Sequence, residues 1–339
     1  MKVAMLAPIA WRTPPRKYGP WEQVVSALTE GLAHRGIAVT LFATADSITA
    51  GRLLYSAPMG YAENAELDPK VEECLHISQV MEAADEFDLI HNHFDFVPLT
   101  YSRLIDTPMV TTIHGFSSPK IIPVYRKYNG RCHYVSISNA DRAADLNYIA
   151  TIYNGIDTSQ FDIVEHPDDY LLYFGRIHPE KGTHLAIMLA RHTGRRLLIA
   201  GLIQDTAYFE RDVLPHIDGQ QIRYVGNVGP KERNRLLGNA AALLHLIGFD
   251  EPFGLSVAEA MCCGTPVVAI NRGSMSELVV HGRTGFLVSH ADEAISLIGR
   301  IPDLSRQRCA TWAREMFSQE KMVTSYLSVY QRILAAKSG

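Results

Sequence analysis

Short apolar runs, each followed by a loop and then an amphipathic stretch, repeat along the chain. The first run, "KVAMLAP", predicts a buried strand. "EQVVSALTEGLAHRG" predicts a helix, because Val24, Val25, Leu28 and Leu32 recur at helical spacing and Gly36 ends the run. "IAVTLFAT" is the next strand, and "FDLIHNH", "TPMVTTIHG" and "CHYVSISN" are further strand candidates. Strand and helix in alternation imply βαβ units around a mostly parallel sheet.

The rhythm restarts after "IYNGID" and the polar stretch "TSQFDIVEHPDD". "YLLYFGR", "RRLLIAG", "IRYVG", "AALLHLIG" and "TPVVAI" predict a second set of strands, and "TGFLV" a short last one. The expected fold class is therefore α/β, with two Rossmann-like doubly wound domains facing across a cleft. The first would span 1–160 and the second 161–315. The amphipathic stretch 316–339 would form a C-terminal helix able to cross back to the first domain. Ligands of such sheets bind at the carboxyl ends of strands, which makes the cleft the expected site.

Length and composition agree with two domains. A chain of 339 residues suits two cores of about 150 residues each, and 47% apolar residues can fill both. Residues 1–160 hold 13 Lys+Arg against 17 Asp+Glu, and residues 161–339 hold 19 of each. Neither half is basic, so nucleic acid is not an expected partner. The five cysteines include no C-x-x-C pair, which fits a reducing cytoplasm and neither a disulfide framework nor a zinc site. The apolar opening "MKVAMLAPIAW" weakly resembles a signal peptide but lacks a clean cleavage site, and it reads as the first strand. No apolar run reaches the ~18 residues a spanning helix needs.

The stretch "FDEPFGLSVAEAMCCGTPVV" carries two glutamates eight apart, Glu251 and Glu259. Ser256-Val-Ala-Glu259 matches a capping box, which gives Glu259 an ordinary structural reading. Glu251 precedes Pro252-Phe253-Gly254, where the chain must turn before a helix. The amides of Gly254, Leu255 and Ser256 would point out of that terminus, where a positive dipole draws phosphate. A carboxylate beside them suits the donating hydroxyls of a sugar. Together these features suggest a nucleotide sugar.

"YFGRIHPEKG" places Arg176 and Lys181 at a strand-to-helix turn, where a planar fork and a point charge would clamp a diphosphate. His114 ends the β-branched run "TTIHG" and would bond a sugar hydroxyl or the transferring group; the ordinary reading is structural. His91-x-His93 offers two imidazoles on one strand face but no third metal ligand, so strand-end packing is the expected role. No D-x-D occurs, and no metal-chelated diphosphate is expected. Gly19 permits close approach of a ligand, and Pro20 fits a first helical position. Ser274-x-x-Glu277 is a second capping pattern, with Gly273 and Ser274 placed to line the site.

Five segments in order resemble the retaining glycosyltransferases of family 4, which have the GT-B fold: "YNGID", "FGRIHPEKG", "YVGNV", "EPFGLSVAEAMCCGTPVVA" and "GSMSELVVHGRTGFLV". The resemblance spans nearly the whole chain and is densest in its second half. It implies transfer of a hexose from a nucleotide-diphosphate sugar to an acceptor hydroxyl with retention of configuration and without a metal or other cofactor; the donor base is open, with a UDP-linked hexose favoured over GDP-mannose. Arg176 and Lys181 would hold the diphosphate, Glu251 the sugar hydroxyls and Glu259 the ribose. Amides from Phe253 through Gly254 and Leu255 to Ser256 would meet sugar and phosphates. Asn227 and Val228 would contact the base, Gly19 the phosphates and His114 the transferred sugar. One departure is Gly19-Pro20 in place of the common Gly-Gly, since Pro20 has no amide to donate.

The acceptor would be a small molecule, a saccharide or a lipid-linked compound. Lys120, Arg126, Lys127 and Arg131 lie in an acid-free segment, 107–140, with Ile121, Ile122, Val124 and Tyr125. This segment would touch an anionic membrane or a charged acceptor, the ordinary alternative being a solvated helix. Two other functions share these features: a non-catalytic nucleotide-sugar binder, and a GT-B enzyme of other reaction type, a phosphorylase or an epimerase. A dinucleotide-dependent oxidoreductase is disfavoured, because no G-x-G-x-x-G follows a strand.

Overall fold

The computed structural model describes residues 1–116 and 118–338. They form two compact units. Met1–Gly155 join the C-terminal residues from Gln319 in the first, and Ile156–Ser318 make the second. The last helix, Gln319–Ser338, therefore belongs to the same unit as the first strand. Among the described residues no helix is long and apolar enough to cross a membrane.

The first unit holds seven strands: β1 (Lys2–Leu6), β2 (Ala38–Ala43), β3 (Arg52–Tyr55), β4 (Leu89–Asn92), β5 (Met109–Ile113), β6 (His133–Ser136) and β7 (Tyr148–Thr151). Their order is β3-β2-β1-β4-β5-β6-β7, and every pair is parallel. The second unit holds β8 (Tyr170–Phe174), β9 (Arg196–Ala200), β10 (Ile222–Gly226), β11 (Ala242–His245), β12 (Val267–Ile270) and β13 (Gly285–Val288). Their order is β10-β9-β8-β11-β12-β13, again all parallel. Both sheets wind outward from a first strand in two directions. The strand order reverses between β1 and β4 and between β8 and β11, which are the places where doubly wound sheets bind ligands.

The central strands read as unbroken apolar runs because helices cover both faces. β1, β5, β11 and β12 show this most plainly, with almost every side chain buried. Strands β3 and β7 stand at the two edges of the first sheet, four residues each and partly exposed, and the apolar pattern did not announce them. The first helix runs Pro20–His34, with Pro20 at its start and Gly36 at φ 76° beyond its end. Proline fits there because its missing amide has no intrahelical acceptor in any case. Gly19 caps this helix at φ 149°, and a Cβ added to it would meet Pro15 Cβ at 2.7 Å. Glu22, in the first turn, is 3% exposed, and its Oε1 accepts from the Trp11 amide at 3.3 Å. Burial outweighs the backbone hydrogen bonds and pushes its carboxyl up to about 8.

In the second unit the loop after β8 is pinned to the end of β11. Gly182 has φ 72°, and a Cβ there would overlap the Leu246 carbonyl. The Gly248 amide also donates to the Glu180 carbonyl at 2.7 Å. Gly182→Ala should lower the melting temperature far more than Gly194→Ala. Gly194 shares the left-handed backbone, at φ 67°, but a Cβ there meets nothing within 4 Å. Thermal denaturation should show a loss of about 1 kcal/mol for the Gly194 change and several times that for Gly182. Equal losses would mean that the close approach carries no weight.

Glu22 generates a pH dependence. Its folded pKa lies above the unfolded value, so its stabilising contribution is whole below about 4.5 and is lost as pH rises toward about 8. Glu22→Gln, which keeps an acceptor for Trp11, should gain melting temperature relative to the parent chain between pH 5 and pH 8. A constant difference across that range would refute the raised pKa.

Candidate functional site

The switch point of the second sheet gathers three charged or ionisable side chains. Lys181 sits in the turn Pro179–Lys181 that follows β8, and its Nζ donates to Glu251 Oε2 at 2.7 Å. His245 is the last residue of β11, and its Nε2 stands 3.3 Å from the same oxygen, off the direction of a hydrogen bond. Lys181 and Glu251 keep only 15% and 12% of their side-chain surface, so the pair is shielded from solvent screening. Lys181 Nζ also lies 4.5 Å from the centre of the Phe249 ring. Burial alone would raise the Glu251 carboxyl, but His245 and Lys181 outweigh it and hold it well below the usual carboxylate range. Glu251 is therefore an ionised acceptor at neutral pH.

The loop carrying Glu251 is braced from behind. The Ser274 amide donates to the Glu251 carbonyl at 2.9 Å, and Ser274 Oγ donates to the Phe253 carbonyl at 2.7 Å. Gly273, at φ 57°, lies so close that a Cβ would overlap the backbone of Glu251. Arg272 donates to the Gly248 carbonyl at 2.7 Å and to Asp250 Oδ1 at 3.2 Å. Ser274 is fully buried, so it supports the loop and does not line a site, contrary to its expected place. Its hydroxyl makes no cap bond to the helix Met275–Leu278, which corrects the second capping pattern as well.

The first capping box is also corrected. The helix Leu255–Cys262 is capped by Gly254 at φ 89°, with no side-chain cap bond, and Ser256 lies inside its first turn. The first intrahelical donor to Gly254 is Val257, so the amides of Leu255 and Ser256 belong to the part of the turn with no carbonyl in reach. Phe253 is buried, while Leu255 and Ser256 are half-buried. Glu259 is 4% exposed and pairs with Arg233, Nη1 to Oε1 3.2 Å. Burial raises its carboxyl, and Arg233 opposes the shift. Arg233 comes from the helix Pro230–Asn239, which follows the half-buried Asn227 and Val228 after β10. Arg176, just after β8, is partly exposed and hydrogen-bonds the Gln204 side-chain carbonyl.

His245 and Arg233 were missed because a strand-end histidine and a helical arginine carry no motif of their own. The signal available was proximity: His245 stands just before the segment that opens at Glu251, and Arg233 just after the one that closes at Val228.

In the first unit, His114 follows β5 and is 7% exposed. Its ring stacks on Trp21, centroids 5.3 Å apart at 21°. His93 Nδ1 lies 2.8 Å from His114 Nε2, and His93 Nε2 lies 3.3 Å from His91 Nδ1. The two strand-end histidines thus pack with His114. Among the described residues no group of three or more His, Cys, Asp or Glu is arranged to hold a metal ion. Asp95, after β4, is a non-glycine residue at φ 78°. It accepts from the Tyr125 hydroxyl, and its own carbonyl accepts from Asn92 Nδ2 at 2.8 Å. Burial raises its carboxyl to about 6 against the pull of Tyr125. No sequence signal marked it.

The basic segment is less free than its sequence suggests. Arg126 pairs with Asp145, Nε to Oδ2 2.7 Å. Arg131 donates to the carbonyls of Ser102, at 2.6 Å, and Ile105. Tyr125 is in the core. Lys120 and Lys127 remain exposed, with Lys127 Nζ 5.4 Å from the Tyr128 ring centre.

Arg233→Met should destabilise the second unit by about 3–5 kcal/mol, because it strands a buried carboxylate. Adding Glu259→Gln should recover most of that loss. Denaturant unfolding of the two variants checks this, and a double variant as unstable as the single one would refute the pairing.

Comparison with known proteins gives the same picture. The profile described as "Glycosyl transferases group 1" matches residues 156–320, and that of "Glycosyltransferase Family 4" matches residues 21–160. A glycogen synthase of Mycobacterium tuberculosis is 30% identical over 293 residues, covering 74% of this chain and 70% of that protein. Among solved structures, AviGT4, a glycosyltransferase involved in avilamycin A biosynthesis, superposes with a TM-score of 0.73 at 25% identity, covering 99% of this chain and 98% of that one. Anabaena Alr3699/HepE in complex with UDP-glucose shares the fold, with a TM-score of 0.74 at 19% identity and 98% and 100% coverage. The two doubly wound units are thus those of the GT-B fold, and the chain belongs to the group 1, family 4 glycosyltransferases.

Proposed function

We propose that the protein transfers a hexose from a nucleotide-diphosphate sugar, UDP-linked in preference, to an acceptor hydroxyl, with retention of configuration and without a metal. The observation that carries this reading is the contact of Lys181 with Glu251, 2.7 Å, at the carboxyl ends of β8 and β11. A shielded cation next to an ionised carboxylate matches the two chemistries of such a donor. The ammonium suits a diphosphate, and the carboxylate suits sugar hydroxyls, which donate to it. HepE, which shares the fold, is named as binding UDP-glucose, and this supports a UDP-linked donor.

Each residue then has a distinct task. Arg176 and Lys181 take the diphosphate, and with the amides near Gly254, Leu255 and Ser256 they stabilise the charge that develops as it leaves. Two fixed cations supply the charge that a divalent ion would otherwise bring. Glu259, oriented by Arg233, takes the ribose, and Asn227 and Val228 the base. Phe253 holds the turn that presents the amides. From the first unit, His114 serves the transferred sugar and Gly19 the phosphates. No side chain is assigned as a nucleophile. In a front-face route the leaving diphosphate helps remove the acceptor proton.

Calorimetry with UDP, GDP and ADP tests the donor site. UDP should bind best, unaffected by EDTA, and should weaken at least tenfold in Arg176→Ala and in Glu259→Ala, the loss of one charge-assisted hydrogen bond. Glu251→Gln should retain UDP binding within a few-fold while turnover falls by about a hundredfold. A chain that binds no nucleoside diphosphate is not this transferase.

A further inference from the structure

His114 is one end of a buried chain of hydrogen-bonding groups that reaches the last helix. Beyond His93, the chain continues to His91 Nδ1, which lies 2.6 Å from the Tyr330 hydroxyl. The other nitrogen, His91 Nε2, lies 2.8 Å from Thr112 Oγ1, which is itself 2.7 Å from the Tyr326 hydroxyl. His91, His93, Thr112, Tyr326 and Tyr330 are each at most 1% exposed, so bulk solvent does not reach them. Burial lowers all three histidines, and mutual repulsion lowers His91 and His93 further. At neutral pH each imidazole is therefore uncharged, with one N–H and one lone pair.

Donor and acceptor counting then runs in one direction. Tyr330 keeps its proton, because burial and the neighbouring Tyr326 raise its pKa well above the ordinary value. Among the described residues the fully buried Tyr330 hydroxyl meets His91 Nδ1, at 2.6 Å, and no other acceptor, so its hydrogen goes there; His91 Nδ1 is then a lone pair and His91 Nε2 carries the hydrogen given to Thr112. His93 Nε2 lies 3.3 Å from the same nitrogen, whose one lone pair already receives the Tyr330 hydrogen. A second lone pair set against it would be repelled, so His93 Nε2 carries its hydrogen and makes the weaker, shared contact. This leaves His93 Nδ1 as a lone pair, so His114 Nε2, at 2.8 Å, must donate in turn. The remaining nitrogen, His114 Nδ1, is left as an acceptor.

We infer that the Tyr330–His91–His93 chain is a positioning device that fixes His114 in its Nε2–H tautomer, so that His114 presents an acceptor to a substrate hydroxyl. The stacked Trp21 fixes the plane of the ring, and the chain fixes its proton. The substrate class for this nitrogen is an O–H donor, a sugar hydroxyl on the proposed function above. The tautomer assignment rests on the hydrogen-bond chain and the uncharged state of its buried groups, and only the identity of the hydroxyl rests on that function.

The test has two arms. Long-range proton–nitrogen correlation on the full chain labelled with 15N-histidine reads each tautomer directly. All three histidines should be Nε2–H forms near pH 7. In Tyr330→Phe, which removes the donor that sets the direction, His114 should acquire an Nδ1–H population. His93→Gln, which tolerates either direction, should do the same if the Tyr330 variant does not fold. An Nδ1–H His114 in the parent chain, or a tautomer that neither variant moves, would overturn the inference whatever the enzyme's activity.

The second arm is kinetic. Deoxyfluoro donors, in which one hydroxyl at a time becomes an acceptor, should show one position whose cost in kcat/KM is about tenfold larger in the parent chain than in His114→Ala, the electron withdrawal by fluorine being common to both. Correct tautomers without turnover of any nucleotide sugar would sink the proposed function and leave the positioning chain standing. Correct tautomers with turnover but no such position would overturn the acceptor role of His114.

Discussion

The contact of Gly182 with the Leu246 carbonyl sets the terms for the second unit. At the switch point the connections from two parallel strands turn toward opposite faces of the sheet and diverge, and a ligand site between them needs two loops brought back together. Here the absence of a side chain at Gly182 lets the loop after β8 lie directly on the end of β11. That approach brings Lys181 to Glu251, and the β11 terminus adds His245. The bracing of the Glu251 loop by Gly273 and Ser274 follows the same logic, with one backbone laid against another where no Cβ intervenes. Charge placement here is a consequence of backbone contact.

The two units solve the same problem with different chemistry. In the second, charges meet at the switch point, where Lys181 and His245 hold the Glu251 carboxyl ionised. In the first, the corresponding place holds neutral imidazoles, a strained Asp95 and a carboxyl, Glu22, pushed toward protonation. Burial there is strong enough to discharge the groups it does not pair. The first unit therefore presents polar but largely uncharged groups, whose hydrogen-bond direction carries the information that charge carries in the second.

Much of this was legible in the sequence, and the exceptions share a cause. Central strands announced themselves as apolar runs, and the glycines at turns marked where the chain reverses or packs tightly. Lys181 and Glu251 were identifiable from their turns, although their contact was not. The misread features were long-range. A serine three residues before a glutamate looks like a cap at 256–259 and at 274–277, but in both places the backbone is held by other means: Gly254 caps the first, and Ser274 is drawn to Phe253. Arg233 meets Glu259 only through the packing of two helices. Strands β3 and β7 escaped notice because four half-exposed residues at a sheet edge have little pattern to show. The basic run from Lys120 to Arg131 looked free because Asp145 and the carbonyls of Ser102 and Ile105 lie outside it in sequence.

The membership of the last helix has a temporal meaning. The first unit takes residues from both sides of the second, so its interior is incomplete until Gln319–Ser338 has been made. Tyr326 and Tyr330 fill positions that are fully enclosed only when that helix docks. During synthesis the second unit can close on itself while the first still waits for its final segment. The first unit is thus completed only after the second has been translated, and His91 acquires its Tyr330 partner last.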